Sequence, residues 1–121
     1  MPNRILIVED DKGISDGIAV NLQYAGYDYA VFGDGREAAE YMEQDHSFDL
    51  ALLDIMLPGA SGLEICQQVK RAYGDAAPPV ILISARGQQA DIEAGLEAGA
   101  NDYIIKPFST RLLLERIEAV L

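Results

Sequence analysis

A chain of 121 residues, half of them hydrophobic and 24% charged, suits one globular domain that buries roughly two-thirds of its unfolded surface. A formal net charge of −11 repels phosphate backbones and argues against direct nucleic-acid binding, and no apolar run nears the roughly 18 residues of a membrane span. A single cysteine, Cys66, excludes an intramolecular disulfide, and with a single histidine, His46, it argues against a zinc site or a nucleophilic triad. Met1-Pro2-Asn3-Arg4 leads straight into an apolar run rather than a signal sequence, so the expected compartment is cytoplasmic.

In chain order, strands and helices alternate from Arg4 to the last residue, with no repeat, low-complexity tract or linker. Ile5-Leu6-Ile7-Val8 reads as a strand ending in Glu9-Asp10. The first helix, about 12–25, carries Ile14, Ile18 and Leu22 on one face and stops at Gly26, a good left-handed terminator. A second strand, about 28–33, leads to Asp34-Gly35-Arg36-Glu37, whose capping-box spacing opens a helix running to about 44. His46 then sits in a polar stretch and reads as a solvated loop residue.

The third strand, about 48–53, ends in Asp54; a loop over 55–60 precedes a second capping box at Ser61-Gly62-Leu63-Glu64 and a helix to Gly74. Cys66 repeats with Leu63 and Val69 at helical spacing, the pattern of a buried structural thiol. Pro78-Pro79 bars any extension before a strand at about 80–83 that ends in Ser84. A helix at about 88–98 ends at Gly99, a strand at about 102–105 ends in Lys106, and the last helix, about 109–121, buries Leu113, Ile117 and Val120.

Five such units imply an α/β fold, (βα)₅, a doubly wound five-stranded parallel sheet with helices on both faces. Of the common strand orders, 2-1-3-4-5 suits five strands and makes strands one and three neighbours at the topological switch point, where ligands gather beyond the carboxyl ends. Glu9, Asp10 and Asp54 would then share one pocket with Ser84 and Lys106. Three carboxylates in a partly buried pocket need either raised pKa values or a cation, and oxygen-only ligands favour a hard one such as Mg²⁺. Each piece also has a plainer reading. Glu9-Asp10-Asp11 suits a solvated loop facing a helix N-terminus, Lys106 a solvated charge, and Tyr103 a strand residue whose hydroxyl meets water. Asp11, nearest the helix start, suits an N-cap better than a ligand. Lys106-Pro107 is open to a cis peptide, since X–Pro bonds lose much of their trans preference.

Ile5-Leu6-Ile7-Val8-Glu9-Asp10-Asp11, Asp54-Ile55-Met56-Leu57-Pro58-Gly59 with Gly62, Ser84-Ala85, and Gly99-Ala100-Asn101-Asp102-Tyr103-Ile104-Ile105-Lys106-Pro107-Phe108 together resemble bacterial two-component response regulator receiver domains, over essentially the full length, 1–121. Each fragment alone is weakly specific; in this order and spacing the set is strong. The resemblance implies a flavodoxin-like fold and a regulatory phosphoacceptor rather than an enzyme with its own substrate. It implies that Asp54 takes a phosphoryl group from a sensor histidine kinase or phosphotransfer protein. Asp10 would be the direct Mg²⁺ ligand, Glu9 would hold the metal, often through water, and Asp54 and the Met56 carbonyl would complete the protein ligands. Lys106 would contact the acid and then the phosphoryl oxygens, Ser84 would bond the phosphoryl group, and Tyr103 would turn inward behind it. Met56 and Arg86 resemble positions that tune hydrolysis.

The implied output is a two-state change on the face of the fourth helix, fifth strand and fifth helix, controlling an output domain or partner and, by resemblance, transcription. The stretch from Asp102 onward most resembles receivers attached to winged-helix DNA-binding domains, which form homodimers through that face. Leu112 departs from the pattern: many such relatives carry an acid there for an intersubunit salt bridge, so Leu112 is expected to add to an apolar contact patch, with Arg116 present. No output domain is expected in this chain. Two rival functions remain on the sequence: a receiver-like module that is never phosphorylated, and a flavin binder or Mg²⁺-dependent phosphatase on the same fold. The first lacks support because no member of the acid, lysine and hydroxyl set is missing. The second lacks a phosphate-cradling loop after the first strand and an aspartate at position 56.

Overall fold

The computed structural model describes residues 3–44 and 47–121, so His46 lies outside the described residues. Five strands, β1 (Arg4–Val8), β2 (Asp28–Phe32), β3 (Leu50–Asp54), β4 (Val80–Ser84) and β5 (Asp102–Ile105), form one parallel sheet in the order β2-β1-β3-β4-β5. Between and after them run α1 (Lys12–Tyr24), α2 (Gly35–Glu43), α3 (Gly62–Tyr73), α4 (Gln89–Glu97) and α5 (Thr110–Val120). Every residue of β3 and β4 is buried. Strands covered on both faces need continuous rather than alternating apolar sequence, and Leu50-Ala51-Leu52-Leu53 and Val80-Ile81-Leu82-Ile83 supply it.

Two apolar layers cover the sheet. Ile5, Ile7, Leu52 and Ile81 meet Ile18 and Leu22 of α1 and Leu113 and Ile117 of α5 on one face. Leu6, Val8, Leu53 and Leu82 meet Met42 of α2 and Ile65, Cys66 and Val69 of α3 on the other. Cys66 is the buried thiol its spacing indicates; burial pushes its pKa up. Among the described residues no helix is long and apolar enough to cross a membrane.

The helix starts follow from short polar side chains. Asp11 Oδ1 accepts from Ile14 N at 3.1 Å, Asp34 Oδ1 from Arg36 N at 2.7 Å, Ser61 Oγ from Glu64 N at 3.2 Å, and Ser109 Oγ from Leu112 N at 3.0 Å. Asp11 is thus the N-cap of α1, as its position indicates. At the other end of α1, Gly26 has φ +90°, and Gly26 N and Tyr27 N return to the carbonyls of Gln23 and Leu22.

The sequence reading needs small corrections. β3 and β4 each run one residue further, so Asp54 and Ser84 are the last residues of their strands rather than the first beyond them. β2 stops at Phe32, α5 spans Thr110–Val120 behind its Ser109 cap, and a 3₁₀ turn, Gly74–Ala76, follows α3. Val120, expected to be buried, is only partly so, and Ile14 shares the face of Ile18 and Leu22 while remaining partly buried. Leu112 is also partly buried against the α1–α5 layer.

Candidate functional site

Strand register brings the chemistry to one rim. Val8 pairs with Leu53, Asp54 with Ile83, and Ser84 with Ile105, so the residues at the carboxyl ends of β1, β3, β4 and β5 sit side by side. These are Glu9-Asp10, Asp54, Ser84 and Lys106. Glu9, Asp54 and Ser84 are buried, Lys106 is half-buried, and Asp10 is exposed at the lip. One carboxylate oxygen from each of Glu9, Asp10 and Asp54 lies within 4.8 Å of the others.

Lys106 closes the cluster from the far side. Its Nζ donates to Asp54 Oδ2 at 2.8 Å and lies 2.6 Å from Glu9 Oε1. The contact with Glu9 is an ion pair without a directed hydrogen bond, which leaves Oε1 a buried oxygen short of a donor. Glu9 Oε2 accepts from Asp11 N at 3.2 Å. Burial, followed by the neighbouring Asp54 carboxylate, pushes the Glu9 pKa up to about 7, against the opposing pull of Lys106. Burial works against the charged form of Lys106, but the hydrogen bond to Asp54 and the negative charge of Asp54 and Glu9 outweigh it and raise its pKa. The Lys106–Pro107 peptide is cis.

Asp54 is held from the loop that follows it: Oδ1 accepts from Met56 N at 3.0 Å, so the 55–57 backbone turns over the carboxylate. That turn explains the glycine at position 62, because a Cβ there would clash with the Asp54 carbonyl oxygen. A second tie reaches α2, where Gly35 N donates to Pro58 O at 2.8 Å. No sequence motif signals this link between the start of α2 and the loop after β3. Met56 itself is exposed.

Ser84 is fully buried, and its Oγ accepts from Arg86 N at 3.0 Å, leaving the hydroxyl proton available to a further acceptor. Arg86 also receives Tyr103, whose hydroxyl donates to the Arg86 carbonyl at 2.6 Å. Tyr103 is buried, and its hydroxyl meets this carbonyl. Its ring lies against α4, where a Cβ on Gly95 would come within 2.9 Å. The 85–88 loop therefore touches both Ser84 and Tyr103, a connection through a backbone carbonyl that residue types do not reveal. Arg116, on α5, is engaged within the chain: its Nη1 lies 2.8 Å from both carboxylate oxygens of Asp102.

The donor set fits a hard divalent cation. It is all oxygen and anionic, it includes one buried carboxylate oxygen, Glu9 Oε1, without a hydrogen-bond partner, and it stands beside a single lysine, too few to balance three acids. The same rim could accept an anionic group once that charge is offset, with Ser84 and Lys106 as donors.

Comparison with known proteins agrees with this geometry. The family model for the response regulator receiver domain matches residues 5–118. The chain is 34% identical to the BeF3-activated N-terminal receiver domain of RstA from Klebsiella pneumoniae, with a TM-score of 0.87 and coverage of 98% of this chain and 97% of that one. A CheY-like receiver domain protein from Methanospirillum hungatei is 32% identical, with a TM-score of 0.89 over 98% of this chain and 93% of its own. Against the Thermotoga maritima response regulator DrrB, an OmpR/PhoB homolog, identity is 34% and the TM-score 0.84, covering 98% of this chain but 52% of DrrB. With five parallel strands in the same order and an acidic rim at their carboxyl ends, the chain belongs to the response regulator receiver domains of two-component systems.

Proposed function

We propose that Asp54 accepts a phosphoryl group from the phosphohistidine of a sensor histidine kinase or phosphotransfer protein, with Mg²⁺ held by Glu9, Asp10, Asp54 and the Met56 carbonyl. The observation that carries this reading is the convergence of three acids within 4.8 Å while Lys106 sits 2.8 Å from Asp54. When bound, Mg²⁺ supplies a hard positive charge that lessens repulsion between an incoming phosphoryl group and the acids. An Asp54 carboxylate oxygen forms a bond to phosphorus as the phosphorus–nitrogen bond of the donor breaks, and the imidazole leaves with that electron pair. Lys106 shifts its donors from the carboxylate to the phosphoryl oxygens, and the free Ser84 proton serves a second oxygen. Little covalent chemistry falls to the protein beyond the attacking oxygen; its main task is in-line positioning.

The acyl phosphate then pulls Ser84 toward itself. Because Arg86 N binds Ser84 and Arg86 O binds Tyr103, any shift of that loop reaches Tyr103 and the face of α4, β5 and α5. Leu96 of α4 and Ile105 of β5 are exposed there. Moving such a switch from 1:99 to 99:1 takes about 5.5 kcal/mol of differential interaction. This face is the proposed contact for an output domain or for a second receiver in transcription regulation, and DrrB, about half of which this chain matches, supports that reading by likeness.

Acetyl phosphate or beryllofluoride with Mg²⁺ should shift the amide spectrum around Asp54, Ser84 and Tyr103, and mass spectrometry should find one phosphoryl group after acetyl phosphate treatment. Asp54→Asn should remain folded and take none. An unchanged spectrum, or equal incorporation in Asp54→Asn, would overturn the assignment and favour a receiver that signals without phosphorylation.

A further inference from the structure

β2 is an edge strand of the sheet. Among the described residues β1, on its inner side, is its sole strand partner, and no strand pairs with its outer side. Exposed edges in folded proteins are ordinarily blunted by charge, proline or a bulge. Here the strand reads Asp28-Tyr29-Ala30-Val31-Phe32, and its one charge stands at the first position. Between Asp16 and Asp34, Asp28 is the only charged side chain, in a chain whose net charge is −11. A neutral stretch of this kind is where two copies of so acidic a molecule can touch with least mutual repulsion.

The backbone shows which groups are free. Asp28 N donates to Asn3 O and Phe32 O accepts from Glu9 N, so residues 28, 30 and 32 turn their peptide groups toward β1. Alternation turns the N–H and C=O of Tyr29 and Val31 outward. Tyr29 and Val31 pair in register with Ile5 and Ile7, which lie under α1, so both side chains project on the α1 face, 38% and 42% exposed.

We propose that this edge is a self-association site, at which β2 pairs antiparallel with β2 of a second copy about a two-fold axis through Ala30. In that register Tyr29 stands opposite Val31 of the second copy, and Val31 opposite its Tyr29. Both are then hydrogen-bonded pairs, because these two residues carry the outward donors and acceptors. Each juxtaposes an aromatic ring and a β-branched side chain, a favourable cross-strand pairing. The strand is thus complementary to itself, as an isologous contact requires. Within the strand itself Asp28 is the one charge, which gives a charged peptide little to pair with. β5 lies at the opposite side of the sheet, so the contact leaves the α4-β5-α5 face open and does not depend on phosphorylation.

Sedimentation equilibrium tests this on the unmodified chain. The weight-average mass should climb from 13.1 kDa toward twice that value as concentration rises. It should climb more readily at 150 mM than at 10 mM salt, since screening removes the long-range repulsion between acidic copies. Val31→Lys and, separately, Tyr29→Lys should weaken association at least tenfold with an unchanged circular dichroism spectrum; both side chains are partly exposed, so folding should survive. Hydrogen exchange at the Tyr29 and Val31 amides should slow with concentration, while exchange at Ala30 should not change. Asp54→Asn should associate as the parent does, which separates this contact from the phosphoacceptor reading. A mass fixed at the monomer value up to millimolar protein would overturn the proposal. So would association that ignores both lysine variants.

Discussion

Lys106 Nζ donates to Asp54 Oδ2 at 2.8 Å, joining the end of β5 to the end of β3 across 52 residues of sequence. The same ammonium stands 2.6 Å from Glu9 Oε1, so one cation serves two buried acids. Removing it leaves both without their nearest counter-charge.

Lys106→Ala should therefore destabilise the metal-free domain by about 2 kcal/mol, less than for an isolated buried pair because Glu9 can take up a proton. Added Mg²⁺ should recover part of that loss. Urea unfolding in EDTA and in excess Mg²⁺ would check both; a variant as stable as the parent in EDTA would contradict the pairing.

Glu9 sets the pH dependence. Its folded pKa of about 7 lies above the ordinary 4.5, so its contribution is fully present below pH 4.5 and is lost as pH rises through 7. Lys106, raised from 10.5, acts only in the alkaline range and stays constant across this window. The metal-free domain should lose on the order of 3 kcal/mol between pH 4.5 and 7 from Glu9 alone. Urea midpoints of the parent minus those of Glu9→Gln, measured in EDTA across that range, isolate the effect. With Glu9 as a Mg²⁺ ligand, as proposed above, the metal would compete with the proton there, and the apparent Mg²⁺ affinity should rise with pH up to about 7. A flat difference curve would sink the assignment.

Gly62→Ala should lower stability by about 2 kcal/mol, because the new methyl must displace the Asp54 carbonyl and the turn beneath Met56. Amide shifts should concentrate at 54–57. Shifts confined to α3, with unchanged stability, would show that the turn has room to spare.

Tyr103→Phe deletes the hydroxyl that donates to Arg86 O at 2.6 Å, and should cost about 1 kcal/mol while the ring stays buried against α4. Thermal unfolding gives the magnitude. Faster hydrogen exchange in the 85–88 loop would mark the released carbonyl, and unchanged exchange there would argue that the loop is held by other contacts.

Much of the molecule was legible because its signals are local. Val80-Ile81-Leu82-Ile83 is too continuous for a half-exposed strand, and Ser61, Asp34 and Asp11 announce helix starts by side chains that reach only three residues ahead. Gly26 ends α1 for an equally local reason. Strand ends were less exact: Asp54 and Ser84 are ladder members, since pairing with Ile83 and Ile105 carries the sheet one residue past the apolar run.

By itself, the sequence determined five strand–helix units and the kinds of group at each strand end, because residue type and short-range spacing carry that information. Which groups meet was decided by the tertiary structure. Parallel register sets Asp54 beside Glu9 and Lys106, the 85–88 loop gives Tyr103 a carbonyl to bind, and Gly35 ties the loop after β3 to α2. Such contacts join residues distant in sequence through backbone atoms that every amino acid shares, and residue identity is silent about them until the chain is folded.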